Sequence, residues 1–249
     1  VNTISDSQNS IPEILEIWQQ TLNWQPNQLQ QQQFQHLYEL ILAANKYLNL
    51  TRITTPEDFW EKHLWDSLKG IAQFLNTSTT SPLRAIDIGT GGGFPGIPIA
   101  IALLHCHVTL LDSTRKKIAF IETIIPQLNL NNITALTGRA EEIGQQTQHR
   151  QAYDLALIRA VAPASVCAEY ALPLLKENGL AILYRGQWTE EETEALQLAI
   201  KNLGGVIESI EAFTTPISNS QRTCLYLKKI ATTPANFPRP VGIPTQKPL

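Results

Sequence analysis

A chain of 249 residues, 43% hydrophobic and 16% charged, carries a formal net charge of −3 from 19 Lys and Arg against 22 Asp and Glu. It is long enough to bury a substantial core, and its charge balance excludes a polybasic nucleic-acid coat or an acidic solvating tail as the main theme. The charge is uneven: residues 1–45 hold Asp6, Glu13, Glu16 and Glu39 without a Lys or Arg, so −3 overall is −4 there and +1 over 46–249.

Cys106, Cys167 and Cys224 are odd in number and far apart, with no Cys-x-x-Cys, which reads as reduced thiols rather than a disulfide frame or zinc site. On a strand, His105 and His107 would share one face and Cys106 the other, and no second cluster completes a tetrahedral set, so no metal is expected. No apolar run approaches the roughly 18–20 residues of a membrane span. The start, VNTISDSQNS, lacks both the basic and the hydrophobic region of a signal peptide. A soluble, cytoplasmic chain with no membrane partner, expected to be a monomer, is the reading. It begins at Val1 and contains no Met, so a trimmed or alternative start is expected.

In chain order, residues 1–75 read as a helical appendage. Ile14, Ile17 and Trp18 follow Pro12; Leu37, Leu40, Ile41, Ala44 and Leu48 mark one buried stripe; a third helix runs from about 55 to 74 with Phe59, His63, Leu64 and Leu68 at helical spacing. The Gln-rich stretch 28–35 reads as a solvated face. The polar stretch 76–81, closed by Pro82, bounds the appendage. From 76 to 230 short apolar runs, near 84–88, 107–112, 133–138, 153–159, 179–185, 206–214 and 222–229, alternate with helical segments near 97–104, 114–125, 140–148, 163–175 and 189–203. That alternation predicts an α/β fold, a Rossmann-like parallel sheet of seven strands. The last two strands lack an intervening helix, so the final one should run antiparallel, as in class I methyltransferases that use S-adenosylmethionine. The tail, 231–249, has five of the chain's fifteen prolines, and composition alone reads it as loose.

The chemistry concentrates in Ala85-Ile86-Asp87-Ile88-Gly89-Thr90-Gly91-Gly92-Gly93-Phe94-Pro95-Gly96, a strand, a glycine turn and a helix start. Gly91-x-Gly93-x-x-Gly96 also satisfies the dinucleotide fingerprint. Two details favour S-adenosylmethionine. Asp87 precedes the first glycine, where a carboxylate can face a cationic amino-acid moiety, and Phe94-Pro95 crowds the approach a pyrophosphate needs. Asp112, at the end of the second strand, suits both ribose hydroxyls or a cap for the following helix, a role Ser113 could fill instead. Arg115-Lys116-Lys117 reads as a solvated face or an RNA phosphate contact. The loop Gly138-Arg139-Ala140-Glu141-Glu142 can cover an adenine. Arg159 ends the fourth strand and should point at the pocket, or else pair with Asp154 or a glutamate. No Asn/Asp-Pro-Pro-aromatic and no Pro-Cys nucleophile follows it, which disfavours amine and pyrimidine-carbon methylation. His63 and Asp66 lie on one helix face, either packing there or rimming the pocket with Asn49 and Thr51.

An ordered series over nearly the whole chain resembles the glucose-inhibited division protein B family, the bacterial 16S ribosomal RNA guanine-N7 methyltransferases. It comprises Asn49-Leu50-Thr51, His63-Leu64-Trp65-Asp66-Ser67-Leu68, the Gly-Phe-Pro-Gly-Ile-Pro ending of the turn, Leu110-Leu111-Asp112-Ser113, Lys116-Lys117, Arg139-Ala140-Glu141-Glu142, Arg159-Ala160-Val161 and Pro173-Leu174-Leu175-Lys176. Phe237-Pro238-Arg239, Gly242-Ile243-Pro244 and Lys247-Pro248-Leu249 extend it to the tail, which the resemblance therefore places, ordered, against the core or the RNA. It implies S-adenosyl-L-methionine as cofactor, 16S rRNA or the small ribosomal subunit as partner, and cofactor contacts at Gly89, Phe94, Asp112, Ala140, Glu141 and Arg159, beside Asp87 and Gly91 of the turn. Candidates for the chemistry are His63, Asp66 and Arg185, the last standing where the family usually shows Lys. Guanine N7 offers a lone pair and no proton, so an in-line displacement needs no general base. The competing readings are a same-fold methyltransferase acting on a small molecule or protein, a non-catalytic ribosome-assembly factor and, more weakly, a nicotinamide enzyme. Local cations for RNA are Arg115, Lys116, Lys117, Arg185, Arg239 and Lys247.

Overall fold

The computed structural model describes residues 10–77 and 81–249; Asp6 and part of the polar stretch 76–81 lie outside them. Seven strands form one sheet in the order β3-β2-β1-β4-β5-β7-β6. They are β1 (Leu83–Ile88), β2 (Cys106–Asp112), β3 (Ile133–Thr137), β4 (Tyr153–Arg159), β5 (Leu175–Arg185), β6 (Gly205–Thr214) and β7 (Gln221–Lys229). The first five run parallel, and β7 is antiparallel to both β5 and β6. The fold is the expected α/β, Rossmann-like sheet of seven strands, with its last strand antiparallel.

Alternation along each strand divides the core in two. Ala85 faces a cluster shared with α1 (Leu15–Leu22), α2 (Gln28–Leu48), α6 (Gly96–Ala102) and α7 (Arg115–Ile124), whereas Ile86 and Ile88 face α9 (Ala164–Ala171) and α10 (Glu190–Leu203). The stripe Leu37, Ile41 and Ala44 is buried in the first cluster with Ile97 of α6, Leu110 of β2 and Ile121 of α7. Local chemistry fixes the helix ends. Asn27 and Gln30 form a reciprocal capping box on α2, as Thr189 and Glu192 do on α10, which Gly204 ends in the left-handed conformation. None of the described helices is long and apolar enough to cross a membrane.

Three helices differ from expectation. The segment expected to be helical from 55 to 74 is α3 (Pro56–Phe59), a π-helical turn (Trp60–Trp65) and α4 (Asp66–Lys69), separated by Gly70 from α5 (Ala72–Leu75). Tyr184 presses on Gly70, where a Cβ would lie 2.5 Å from its ring, and Tyr226 donates to the Gly70 carbonyl at 3.1 Å. The helix expected over 140–148 stops as α8 (Ala140–Ile143), because Gly144 sits flush against Pro238 of the tail. The helix expected over 163–175 yields after Ala171 to a 3₁₀ turn (Leu172–Leu174) around Pro173, and β5 starts at Leu175.

Candidate functional site

The glycine turn is tied to its neighbour strand, since Gly89 and Thr90 both donate to the Leu111 carbonyl at 2.8 and 3.0 Å. Gly89 has φ +72°, and a Cβ there would meet Val161 at 2.5 Å, so the turn and the segment after β4 touch. Asp87 is fully buried beneath the turn. Its Oδ2 accepts from the Thr90 hydroxyl at 2.6 Å and the Gly96 N–H at 2.8 Å, while Oδ1 is buried with no partner among the described residues. Burial raises its pKa to about 6, against the pull of those two donors. Part of the carboxylate that was expected to face a cationic ligand group therefore holds the turn together. Asp112 does two jobs as well: Oδ2 accepts from Gly91 N–H at 3.0 Å and Oδ1 from Thr114 N–H at 2.8 Å, so it, and not Ser113, steadies the start of α7.

Two clefts flank the segment that leaves β4. The first, about 150 Å³, is lined by Gly89, Asp112, Ala140, Glu141, Tyr170 and Thr245 among others. The second, about 400 Å³, is lined by Lys62, His63, Asp66, Arg159, Arg185 and Arg222 among others. Between them Ala160 is held at φ +56°, a left-handed conformation costly for a residue with a Cβ, at the point where the chain turns from one cleft to the other. Of the residues read from sequence, Gly89, Asp112, Ala140 and Glu141 come together in the first cleft, and His63, Asp66, Arg159 and Arg185 in the second.

The second cleft is ordered by Arg159. Its Nη1 donates to Asp66 Oδ2 and to the Lys62 carbonyl, both at 3.0 Å, and its Nη2 reaches His63 Nδ1 at 3.4 Å. Since a guanidinium only donates, His63 Nδ1 is the acceptor and its proton sits on Nε2, donating to Thr51 Oγ1 at 2.8 Å. The ring stacks on Phe94 with centroids 4.2 Å apart. Burial first, then Arg159 and Lys62, lower the His63 pKa to about 3, so the imidazole is neutral. Arg159 thus pairs with Asp66, while Asp154 is taken by Lys176 at 2.7 Å. Arg185 has a buried Nε without a partner among the described residues and an Nη2 3.5 Å from Cys167 Sγ.

Four expectations change in position or role. Phe94 lines neither cleft and reaches the second through its stack on His63 and through the Arg159 guanidinium, 5.9 Å from its ring centroid. Gly91 acts through its N–H on Asp112. Asn49 is the exposed left-handed cap of α2, and only Thr51 of that pair reaches His63. Arg239 is no free cation for RNA: its Nε and Nη2 donate to the carboxylate of the wholly buried Glu169 at 2.9 and 2.6 Å. Lys62, Tyr170, Arg222 and Thr245 were not singled out from sequence. Arg222 had a readable signal, because an antiparallel β7 must begin beside the carboxyl end of β5, and Thr223 does pair with Arg185.

A family profile described as rRNA small subunit methyltransferase G (GidB) matches residues 30–223. The Ribosomal RNA small subunit methyltransferase G of Nostoc punctiforme is 65% identical over 243 residues, covering 97% of this chain and 99% of the relative. The protein of the same name from Trichormus variabilis is 63% identical, with the same coverage. Among solved structures, M. jannaschii TYW2 in complex with AdoMet superposes with a TM-score of 0.51 at 13% identity, over 66% of this chain and 77% of that one, a likeness of fold. With the profile spanning most of the chain and relatives this similar along nearly its full length, the chain belongs to the rRNA small subunit methyltransferase G family.

Proposed function

We propose that this protein is an S-adenosylmethionine-dependent methyltransferase acting on N7 of a guanine in 16S rRNA of the small ribosomal subunit. The relatives' names supply the class of substrate. The observation that carries the finer reading is the suppressed basicity of the second cleft: its imidazole has a pKa of about 3, its carboxylate is paired with Arg159, and its remaining charges are cations. Such a cleft is poorly equipped to remove a proton, and guanine N7 has none to remove.

The residues of the first cleft and the turn fit the cofactor. The buried Oδ1 of Asp87, without a partner among the described residues, suits a cationic amino group, Asp112 suits ribose hydroxyls, and Ala140 and Glu141 suit the adenine edge. When bound, the cofactor supplies an electrophilic sulfonium methyl. Gly89 and Gly91 bring backbone close to it, and Phe94 sets the turn through its stack on His63. Arg159, fixed by Asp66 and the Lys62 carbonyl, lines the second cleft one residue before the left-handed turn at Ala160. With no proton to remove, the residues of the second cleft would serve chiefly to orient guanine N7 toward the cofactor's methyl, and orientation can supply several kcal/mol. Arg185 and Arg222 would take the phosphates of the unstacked nucleotide, with Arg115 and Lys116 continuing the track past the first cleft. On this reading the appendage, 1–75, furnishes one wall of the nucleotide cleft through Lys62, His63 and Asp66, the sheet unit, 76–230, furnishes the cofactor turn, and the tail, 231–249, lines the cofactor cleft through Thr245.

The test is incubation with labelled S-adenosylmethionine and either naked rRNA or small subunits from a strain lacking the enzyme. Label on N7 of one guanine is expected. Label on neither substrate, or on another base atom, overturns the proposal.

A further inference from the structure

The tail makes more contacts than a loose end needs. Arg150 donates to the carbonyls of Thr233, Pro234 and Phe237, and Gln145 to that of Pro238 at 2.8 Å. Arg239 then engages Glu169 through its backbone N–H as well as its guanidinium, a charge pair whose acid is wholly buried. Beyond that pair the chain turns at Gly242 into α11 (Ile243–Gln246), and Thr245 of this short helix enters the wall of the first cleft.

One oxygen couples the two regions. Glu141 Oε1 accepts from Gly242 N–H of the tail at 3.1 Å and from Tyr170 OH at 3.2 Å, and both Glu141 and Tyr170 line the cleft. Glu169 and Tyr170 are neighbours on α9, so the residue that clamps the tail adjoins the residue that faces the ligand. Removing the tail would take away one wall and free a nearly buried carboxylate to swing into the space beside it.

We infer that the segment from Arg239 to Gln246 is a working wall of the cofactor cleft, and that the Glu169–Arg239 pair is the positioning device that seats it. This rests on reading the first cleft as the cofactor's. The segment does not touch the second cleft, so it acts on cofactor retention and leaves methyl transfer from the bound cofactor alone.

The experiment measures affinity for S-adenosylhomocysteine, KM and kcat for methyl transfer, and thermal unfolding, in the full chain and in variants. Deletion of residues 240–249 and Arg239→Ala should each weaken binding by at least about tenfold and raise the cofactor KM in step, with kcat at saturation within about threefold. Arg239→Lys, which keeps the charge but not the fork, should recover part of the affinity. Thr245→Trp, at an exposed position that requires no refolding of the core, should also change affinity, and it keeps the test decisive if the deletion does not fold. Unchanged affinity in Thr245→Trp or in a folded deletion variant overturns the inference, as does a fall in thermal stability without a change in KM. Asp112→Ala separates the two levels. If it abolishes binding while the tail variants do not, only the role of the tail falls; if it too leaves binding intact, the reading of the cleft falls.

Discussion

Asp87 shows how one residue can be costly to the fold and useful to the site. Its ordinary pKa of 3.8 rises to about 6 in the folded chain, chiefly through burial. The folded state therefore binds more protons than the unfolded state between those values. Stability from this group is full below pH 3.8 and lost as pH rises through 6, a loss of about 3 kcal/mol at neutral pH. Asp87→Asn should thus be at least as stable as the natural chain at pH 8, with the difference vanishing near pH 4. It should also bind S-adenosylhomocysteine about 10- to 100-fold more weakly, since a charged partner for the amino group is gone. Melting curves at both pH values and one titration check this; a variant both less stable at pH 8 and unimpaired in binding contradicts it. The glycine turn and its two flanking aspartates were legible in the sequence because their backbone demands are local. That Asp87 would divide its oxygens, and that Phe94 would reach the site through His63, were not legible, because both depend on atoms brought in from other parts of the chain.

At the level of elements, the π-helical turn from Trp60 to Trp65 decides which side chains meet. The Asp66 N–H bonds back to the Glu61 carbonyl, one residue further than in an α-helix, so the stretch holds an extra residue per turn. That offset lets His63 and Asp66 converge on Arg159 while Trp60 and Leu64 stay in the core. Apolar periodicity revealed the helix but not the offset, since one inserted residue barely disturbs a pattern only three turns long. The same limit applied at Gly144 and Pro173, where helices end for reasons of tertiary contact or ring geometry. Asp66 and Arg159 side chains are 10% and 15% exposed, so their pair is poorly screened. Asp66→Ala should cost about 3 kcal/mol by leaving a buried guanidinium without its counter-charge. Asp66→Ala with Arg159→Met should cost less than the two single changes together. Thermal unfolding of all four proteins measures the coupling; strict additivity would show the pair to be worth nothing.

For the whole molecule, the bulk charge of −3 obscured a local pattern. Cations collect around the second cleft and the start of α7, while Arg239 is internally paired and Lys62 is bridged to Asp58 at 2.6 Å. If RNA contact is confined to the cations at the second cleft and the start of α7, binding should depend only moderately on salt, with a log–log slope of about −2 to −3 for three or four phosphates contacted. Arg222→Ala should reduce that slope by about 0.7 and weaken binding without regard to sequence. A slope steeper than about −5 in the natural protein would mean that bulk electrostatics dominates after all. The continuity of the first core cluster carries a different consequence, one for the order of folding. Trp18, Phe34 and Trp60 are made early, yet they share that cluster with Cys224 and Tyr226, and the hydroxyls of Tyr184 and Tyr226 close on the carbonyls of Ser67 and Gly70. The surface around Ser67 and Gly70 thus stays open until β5 and β7 have been made, whereas the stripe of α2 is covered as soon as α6, β2 and α7 are in place, so the helices nearest the nucleotide cleft are the last of this cluster to be sealed.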